Sequence, residues 1–306
     1  MSNKISHSKM SGGQAVVESL KVEGVKNVFG LIGSATMELF DSLYDQNDIN
    51  FIDVRDERTG THMADGYARA SGKAGIIIAG QNGPGATNLV TGVAQASAAF
   101  SPVISIAGAI SSEHVGKNAF QEIDQQSLFE QFTKRTWSVN KTNEIPSVFF
   151  EAFKLALQPR CGPVHINLPR NILSNTSEFG KFKKHVEQNF PDIKNQDLEK
   201  TINIINLSSK PVIIAGGGIK NTNGHQEVIK LAKMLNIPIV SSAGHGDVIP
   251  FYEDLYVGQM GPRGNPVASK LVKEADVIIA LGTRLGFNST FFSYENLNRR
   301  AKIIQI

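Results

Sequence analysis

The chain has 306 residues, 41% of them hydrophobic, with 31 Lys and Arg against 28 Asp and Glu. That length and apolar content suit a soluble chain of two domains with packed cores, and a formal charge of +3 without a basic block leaves no footprint for nucleic acid. Cys161 is the single cysteine, which excludes a disulfide framework and any multi-cysteine metal site and points to the reducing cytoplasm; no apolar run reaches the length of a membrane span.

From the amino terminus, polar residues 1–10 read as a flexible tail without the apolar segment of a signal peptide. Ser11 is placed to cap a helix running to about Glu23, with Ala15, Val16, Leu20 and Val22 among its apolar positions and Gly24 ending it. Val28 to Leu31 reads as a strand, and Gly33-Ser34 then leads into a helix over Thr36 to Tyr44. Phe51 to Val54 is a second strand, followed by Glu57 at the start of an Ala-rich helical stretch that ends at Ser71, with Gly72 as its C-cap. The apolar run Ala74 to Ala79 is short enough for a buried strand; the loop Gln81-Asn82-Gly83-Pro84-Gly85 ends it, and Ala86 to Ala98 reads as a helix. Pro102 to Gly108 is another strand and Ser111 to Ile123 a polar loop. Helical patterns near 125–132 and 144–157 flank a strand near Trp137, and Val164 to Leu168 closes a first domain set at residues 11–175. Strands alternating with helices are the pattern of a parallel α/β sheet, in which ligands collect beyond the carboxyl ends of the strands. Glu57, Gly33-Ser34 and the glycine loop all fall at such ends, and their small residues would let a ligand approach the backbone.

Residues 176–195 are polar, poor in periodicity and predicted as a linker; residues 196–306 repeat the α/β pattern. Expected there are a helix to Asn206, strands at Pro211–Ala215 and Ile237–Ser241 around a helix over Gln226–Leu235, a short segment at Tyr256-Val257-Gly258, a helix from Asn265, and a strand over Asp276–Leu281. Ile303 to Ile306 opens one more strand at the end of the chain, and from this we expect a fragment of a longer protein. Gly216-Gly217-Gly218 fails the dinucleotide fingerprint, because Asn221 stands where the third glycine belongs, and reads better as a tight strand-to-helix turn. His62 and His245 lack metal-ligand spacing, and Cys161 beside Gly162-Pro163 reads as a small buried thiol.

Alone, Glu57 would read as a solvated acid favoured by a helix dipole. Its linkage in order and spacing to Gly66-Tyr67-Ala68-Arg69 and Gly83-Pro84-Gly85-Ala86-Thr87-Asn88 resembles the thiamine-diphosphate (ThDP) enzymes of the acetolactate synthase type. The resemblance implies an α/β protein: a parallel-sheet ThDP pyrimidine-binding domain followed by a Rossmann-like α/β central domain, here incomplete. It implies that Glu57 hydrogen-bonds a ring nitrogen of the cofactor's aminopyrimidine, and that Gly33, Ser34, Gly83, Pro84 and Gly85 bring backbone to that ring with Asn88 at the same turn. Phe120 and Gln121, from a Phe-Gln-Glu loop, would border the reacting carbon. Magnesium and the diphosphate would be held by a third domain whose Gly-Asp-Gly…Asn-Asn motif has no match here, so no metal ligand is assigned to this chain, and alone it is expected to be inactive. Shared active sites in the family imply a homo-oligomer, at least a dimer.

The central domain of true acetolactate synthases binds FAD, and Arg160 and Arg284 match flavin-contacting arginines there. Pro262-Arg263 replaces the usual Met-His between Gly261 and Gly264, so a weakly held or absent flavin is expected. Other details, including Gly33-Ser34, His62 to Gly66, Gly80 to Gly85 and Gly282 to Leu285, resemble the sulfoacetaldehyde acetyltransferases. The implied substrates are a 2-oxo acid or sulfoacetaldehyde, with phosphate. Acetolactate synthase itself, which joins two pyruvates with loss of CO2 in branched-chain amino acid synthesis, is the alternative. A non-catalytic regulatory or dimerisation module is the alternative of another class.

Overall fold

The computed structural model describes residues 8–186, 192–287, 289–290, 293–294 and 297–306. The chain divides into two compact units, residues 1–188 and 189–306, each α/β with a parallel sheet.

The first unit runs β1 (Ser8–Ser11), α1 (Gly12–Val22), β2 (Asn27–Gly30), α2 (Met37–Tyr44), β3 (Asn50–Asp53), α3 (Glu57–Ser71), β4 (Gly75–Ala79), α4 (Pro84–Ala99) and β5 (Val103–Ala109). It continues through α5 (Gln125–Glu130), β6 (Thr136–Ser138), α6 (Ile145–Leu157), β7 (Val164–Pro169), α7 (Arg170–Ser174) and β8 (Thr176–Phe179). Six strands pair in parallel in the order β3-β2-β4-β5-β7-β6. Helices cover both faces, so the central strands are mostly apolar on both sides, with Ser105, His165 and Asn167 as buried polar exceptions in β5 and β7. In β4, Ile76 and Ile78 join a core with Val16, Leu39 and Phe149. Ile77 and Ala79 point the other way, into a core with Ala64, Leu89 and Phe129.

Because β2 lies between β3 and β4, the chain leaves β2 to one side and returns on the other. This reversal opens a crevice at the carboxyl ends of β2 and β4. The two loops there touch: a Cβ at Gly33 would lie 2.3 Å from the Gly80 carbonyl oxygen, and Thr36 donates through Oγ1 to the Ala79 and Gly80 carbonyls at 3.2 and 3.3 Å. Gly33 is thus required by the packing of loop on loop.

Ser11 caps α1 in a capping box with Gln14, and Gly72 ends α3 at φ 69°. The amino-terminal tail and the linker differ from the sequence expectation. Residues 8–11 pair antiparallel with Thr176–Phe179. Further on, the main-chain nitrogen and Nδ1 of His185 bind the Glu23 carboxylate at 2.9 and 2.6 Å. The strand β1 is mostly polar and half exposed, so backbone pairing holds it and no apolar alternation announces it. The rest of the tail, 1–7, and residues 187–191 of the linker lie outside the described residues.

The second unit contains α8 (Asn195–Asn206), β9 (Pro211–Ala215), α9 (Gly218–Asn221), α10 (His225–Leu235), β10 (Ile239–Ser241), β11 (Tyr256–Gln259), α11 (Pro266–Glu274), β12 (Val277–Leu281) and β13 (Lys302–Gln305). Its parallel sheet has the order β11-β10-β9-β12-β13. The glycines after β9 serve a close approach of two turns: a Cβ at Gly216 would meet the Gly282 oxygen at 2.5 Å, and Gly218 N donates to that oxygen at 2.9 Å. Among the described residues no helix is long and apolar enough to cross a membrane.

Candidate active site

Glu57 opens α3, where a free helix N-terminus favours a carboxylate. Asp56 takes the capping role, accepting from Arg58 N at 2.8 Å, which leaves the Glu57 side chain to turn inward. It is only 4% exposed. Asn88, on the second turn of α4, donates through Nδ2 to Glu57 Oε2 at 3.0 Å. Among the described residues Oε1 accepts no protein hydrogen bond. It lies 3.0 Å from where a Cβ on Gly85 would stand. The two helices approach closely because Gly92 of α4 faces Thr61 of α3, where a Cβ would come within 2.4 Å of the Thr61 Cβ. Gly66-Tyr67-Ala68-Arg69 shapes α3 itself. Arg69 grips Asp65 through two hydrogen bonds of 2.9 and 2.8 Å, and Tyr67 meets Phe29 edge to face.

The turn before α4 is fastened from two sides. Gly83 has φ 56°, and a Cβ there would lie 2.5 Å from the Gln121 carbonyl oxygen. Its N–H donates to Gln125 Oε1 at 3.0 Å. Gln125 Nε2 in turn donates to the Gly108 carbonyl at 3.1 Å and to Asn167 Oδ1 at 2.7 Å. Asn167 Oδ1 is 2.9 Å from His165 Nε2, and His165 Nδ1 is 2.8 Å from Ser105 Oγ. Full burial pushes the His165 pKa down to about 3, so the ring is neutral at pH 7. An acceptor at Nε2 places the proton there, and the Ser105 hydroxyl then donates to Nδ1. Phe129 stacks on this ring at 3.6 Å. Asn167 Nδ2 is buried without a hydrogen-bond partner among the described residues.

On the other side, the buried Asn82 donates through Nδ2 to the carbonyls of Phe120 and Gln121, both at 3.0 Å. Ser34 Oγ donates to Gln81 Oε1 at 2.8 Å, and Gln81 Nε2 donates to Gln121 Oε1 at 2.8 Å. Three strand-end loops are thereby joined by side chains. Gln121 itself sits at φ 58°, while Glu122 folds back onto the Gly116 and Ala119 N–H groups, which hold its carboxyl below the usual range. Phe120 projects outward, 77% exposed.

Glu57, Gly33, Ser34, Gly83, Pro84, Gly85, Asn88, Phe120 and Gln121 all lie at the carboxyl end of the first sheet, on α3, α4 and the loops around them. Arg160 does not join them. It precedes β7 at the amino edge of the sheet, with its guanidinium 4.7 Å from the centroid of the Phe100 ring. Arg284 follows β12 in the second unit. The inner residues Gln125, His165 and Asn167 escaped the sequence reading. The signal for the last two was present: two polar residues at i and i+2 on one face of an otherwise apolar strand.

Two domains of one family match the chain. The thiamine pyrophosphate enzyme N-terminal TPP binding domain matches residues 10–128, and the thiamine pyrophosphate enzyme central domain matches residues 198–306. The chain belongs to the thiamine pyrophosphate enzymes. Within them it falls in the acetolactate synthase family. A probable acetolactate synthase large subunit of Methanocaldococcus jannaschii is 38% identical over 97% of this chain and 51% of its own length. The large subunit from Haemophilus influenzae is 32% identical over 97% of this chain and 52% of its own length. A sulfoacetaldehyde acetyltransferase of Castellaniella defragrans is 34% identical over 97% of this chain and 50% of its own length. The chain therefore spans about half the length of these relatives. In this chain the matched N-terminal stretch ends in α5, so His165 and Asn167 buttress the glycine turn from beyond it.

Proposed function

We propose that this chain supplies the pyrimidine half of a ThDP site in an enzyme that transfers a two-carbon unit, with Glu57 as the group that governs the cofactor's protonation. One observation carries this reading: a buried carboxyl at a strand end with one oxygen held by Asn88 and the other without a hydrogen-bond partner among the described residues. That donor set fits an uncharged aminopyrimidine, which offers a ring nitrogen to share a proton and needs no countercharge. When bound, ThDP supplies an acidic thiazolium carbon for making and breaking bonds beside a carbonyl. The chain's part is to hold and move a proton at Glu57 Oε1 and to fix the carboxyl plane through Asn88. Gly85 leaves the volume the carboxyl occupies, and the turn at Gly83 sets where α4 begins. The diphosphate and magnesium belong to a part of the site not assigned to these residues.

The test is exchange of the thiazolium proton with deuterium in the protein that contains this chain. Glu57→Gln is expected to slow exchange at least a hundredfold with the fold intact, and an unchanged rate would sink the role.

For the substrate, the acetolactate synthase reading is supported by the names and identities of the relatives. The sulfoacetaldehyde reading rests on Gly33-Ser34 and Gln81-Asn82, which depart from synthase-like sequence; Ser34 donates to Gln81, and Gln81 in turn donates to Gln121. We favour sulfoacetaldehyde plus phosphate. Acetyl phosphate among the products supports it, and acetolactate from pyruvate without acetyl phosphate decides for the synthase.

A further inference from the structure

Two carboxamides and a hydroxyl form a directed chain at the mouth of the site. The Ser34 hydroxyl donates to Gln81 Oε1, which turns Gln81 Nε2 toward Gln121 and makes Gln121 Oε1 the acceptor. Each carboxamide has one donor end and one acceptor end, so fixing one end fixes the other. With Oε1 engaged, Gln121 is left to present its Nε2–H donors, for which no described residue supplies an acceptor. The backbone beneath is held as well. Asn82 binds the Phe120 and Gln121 carbonyls, and a Cβ on Gly83 would collide with the Gln121 oxygen. The chain of hydrogen bonds thus orients a residue whose main chain is already pinned.

We propose that Gln81 is a positioning residue that commits Gln121 to offering N–H donors, and that the substrate group recognised there is an anionic oxygen acceptor, a carboxylate or a sulfonate. This rests on the two-carbon transfer reading above. A site built to donate discriminates against a group that cannot accept, because the unmet donors are then left unpaired.

Gln81→Glu tests the direction of the chain. Its carboxylate only accepts, so Ser34 and Gln121 must both donate to it, and Gln121 must flip to present Oε1. Gln81→Leu releases Gln121 without forcing it. In the protein containing this chain, Gln81→Glu is expected to raise KM for pyruvate or sulfoacetaldehyde at least thirtyfold and Gln81→Leu about tenfold. KM for neutral glycolaldehyde should move less than threefold in both variants. The added charge is separated by repeating Gln81→Glu in a Gln121→Leu background, where its effect on KM should shrink at least tenfold. Equal KM effects in both backgrounds, or equal effects on charged and neutral substrates, overturn the proposal. A second arm needs neither cofactor nor turnover. In the 306-residue chain labelled with 15N at glutamine side chains, Gln81→Glu should move one Gln121 carboxamide proton downfield as it bonds the new carboxylate. Unmoved Gln121 resonances overturn the inference whatever the chemistry proves to be. Loss of exchange in wild-type protein overturns the proposed function while leaving that resonance shift in place.

Discussion

Asn88 on α4 holds Glu57 on α3 through a 3.0 Å hydrogen bond between residues 31 positions apart in sequence. The bond turns the carboxyl so that Oε2 is engaged and Oε1 is offered. A hydrogen bond to a charged group is worth about 1.5–3 kcal/mol. Asn88→Leu, with similar volume and no donor, is expected to slow thiazolium exchange roughly tenfold to a hundredfold. Asn88 is exposed, so unfolding midpoints should barely move. A variant that exchanges like wild type would show that packing alone orients Glu57.

Gly85→Ala should separate stability from function. Gly85 lies in the first turn of α4 without a positive φ, where alanine costs no backbone strain and gains at most the roughly 0.5–1 kcal/mol it has over glycine in mid-helix. The new methyl would stand 3.0 Å from Glu57 Oε1 and 3.3 Å from the Gln81 Cβ. The carboxyl then has to shift by a few tenths of an ångström. Exchange is expected to drop by about an order of magnitude while the thermal midpoint holds or rises. A fall in both together would mean that the clash is relieved by unravelling the helix start.

The parallel sheet, nearly all its strands and the constellation of Glu57 with the glycine turn were legible in the sequence, because buried parallel strands are short apolar runs and glycine turns punctuate them. What escaped was whatever depends on partners distant in sequence. The strand β1 is fixed by backbone pairing to residues far along the chain. Gln125 looked like an ordinary helix start, yet it reaches Gly83 and Asn167. The glycines carried a double meaning. Gly33 and Gly83 were read as room for a ligand, and the structure shows that each first makes room for the protein itself, for Gly80 and for Gln121. Arg160, matched in sequence to a flavin-contacting arginine, has its guanidinium over the Phe100 ring, a neighbour 60 positions away that no local pattern announces.

Pro262 and Arg263 are the central residues of a turn closed by Gly264 N to the Gly261 carbonyl at 2.9 Å. Proline presets φ at the second position of such a turn, so the exposed tip is stiff as well as altered in chemistry. Purified protein is expected to carry less than a tenth of an equivalent of flavin by absorbance and to gain little on incubation with FAD. Pro262→Met with Arg263→His should raise retention if the tip is what limits it. Stoichiometric flavin in the wild type would contradict the expectation.

His165 makes the first unit acid-sensitive in a defined window. Its folded pKa of about 3 lies below the ordinary value of 6.5 because burial disfavours the charged ring. Between those two values the unfolded chain binds a proton that the folded chain refuses. Stability from this group is therefore complete above pH 6.5 and is lost as pH falls toward 3. The slope is roughly 1.4 kcal/mol per pH unit in the middle of the window. Trp137 is the only tryptophan and pairs with Ile166 in the strand that carries His165, so its fluorescence reports urea unfolding of this unit alone. Carboxylates titrate in the same range, and the informative quantity is the difference from His165→Gln, which keeps a donor toward Asn167 but takes up no proton. The variant will be less stable at pH 7 because its packing on Phe129 is lost, and its stability should fall less steeply from pH 6.5 to 4.5, by about one proton's slope. Parallel curves for the two proteins would mean that the folded state accommodates the imidazolium, with the Ser105 hydroxyl turning to accept from Nδ1 while Asn167 goes on accepting from Nε2.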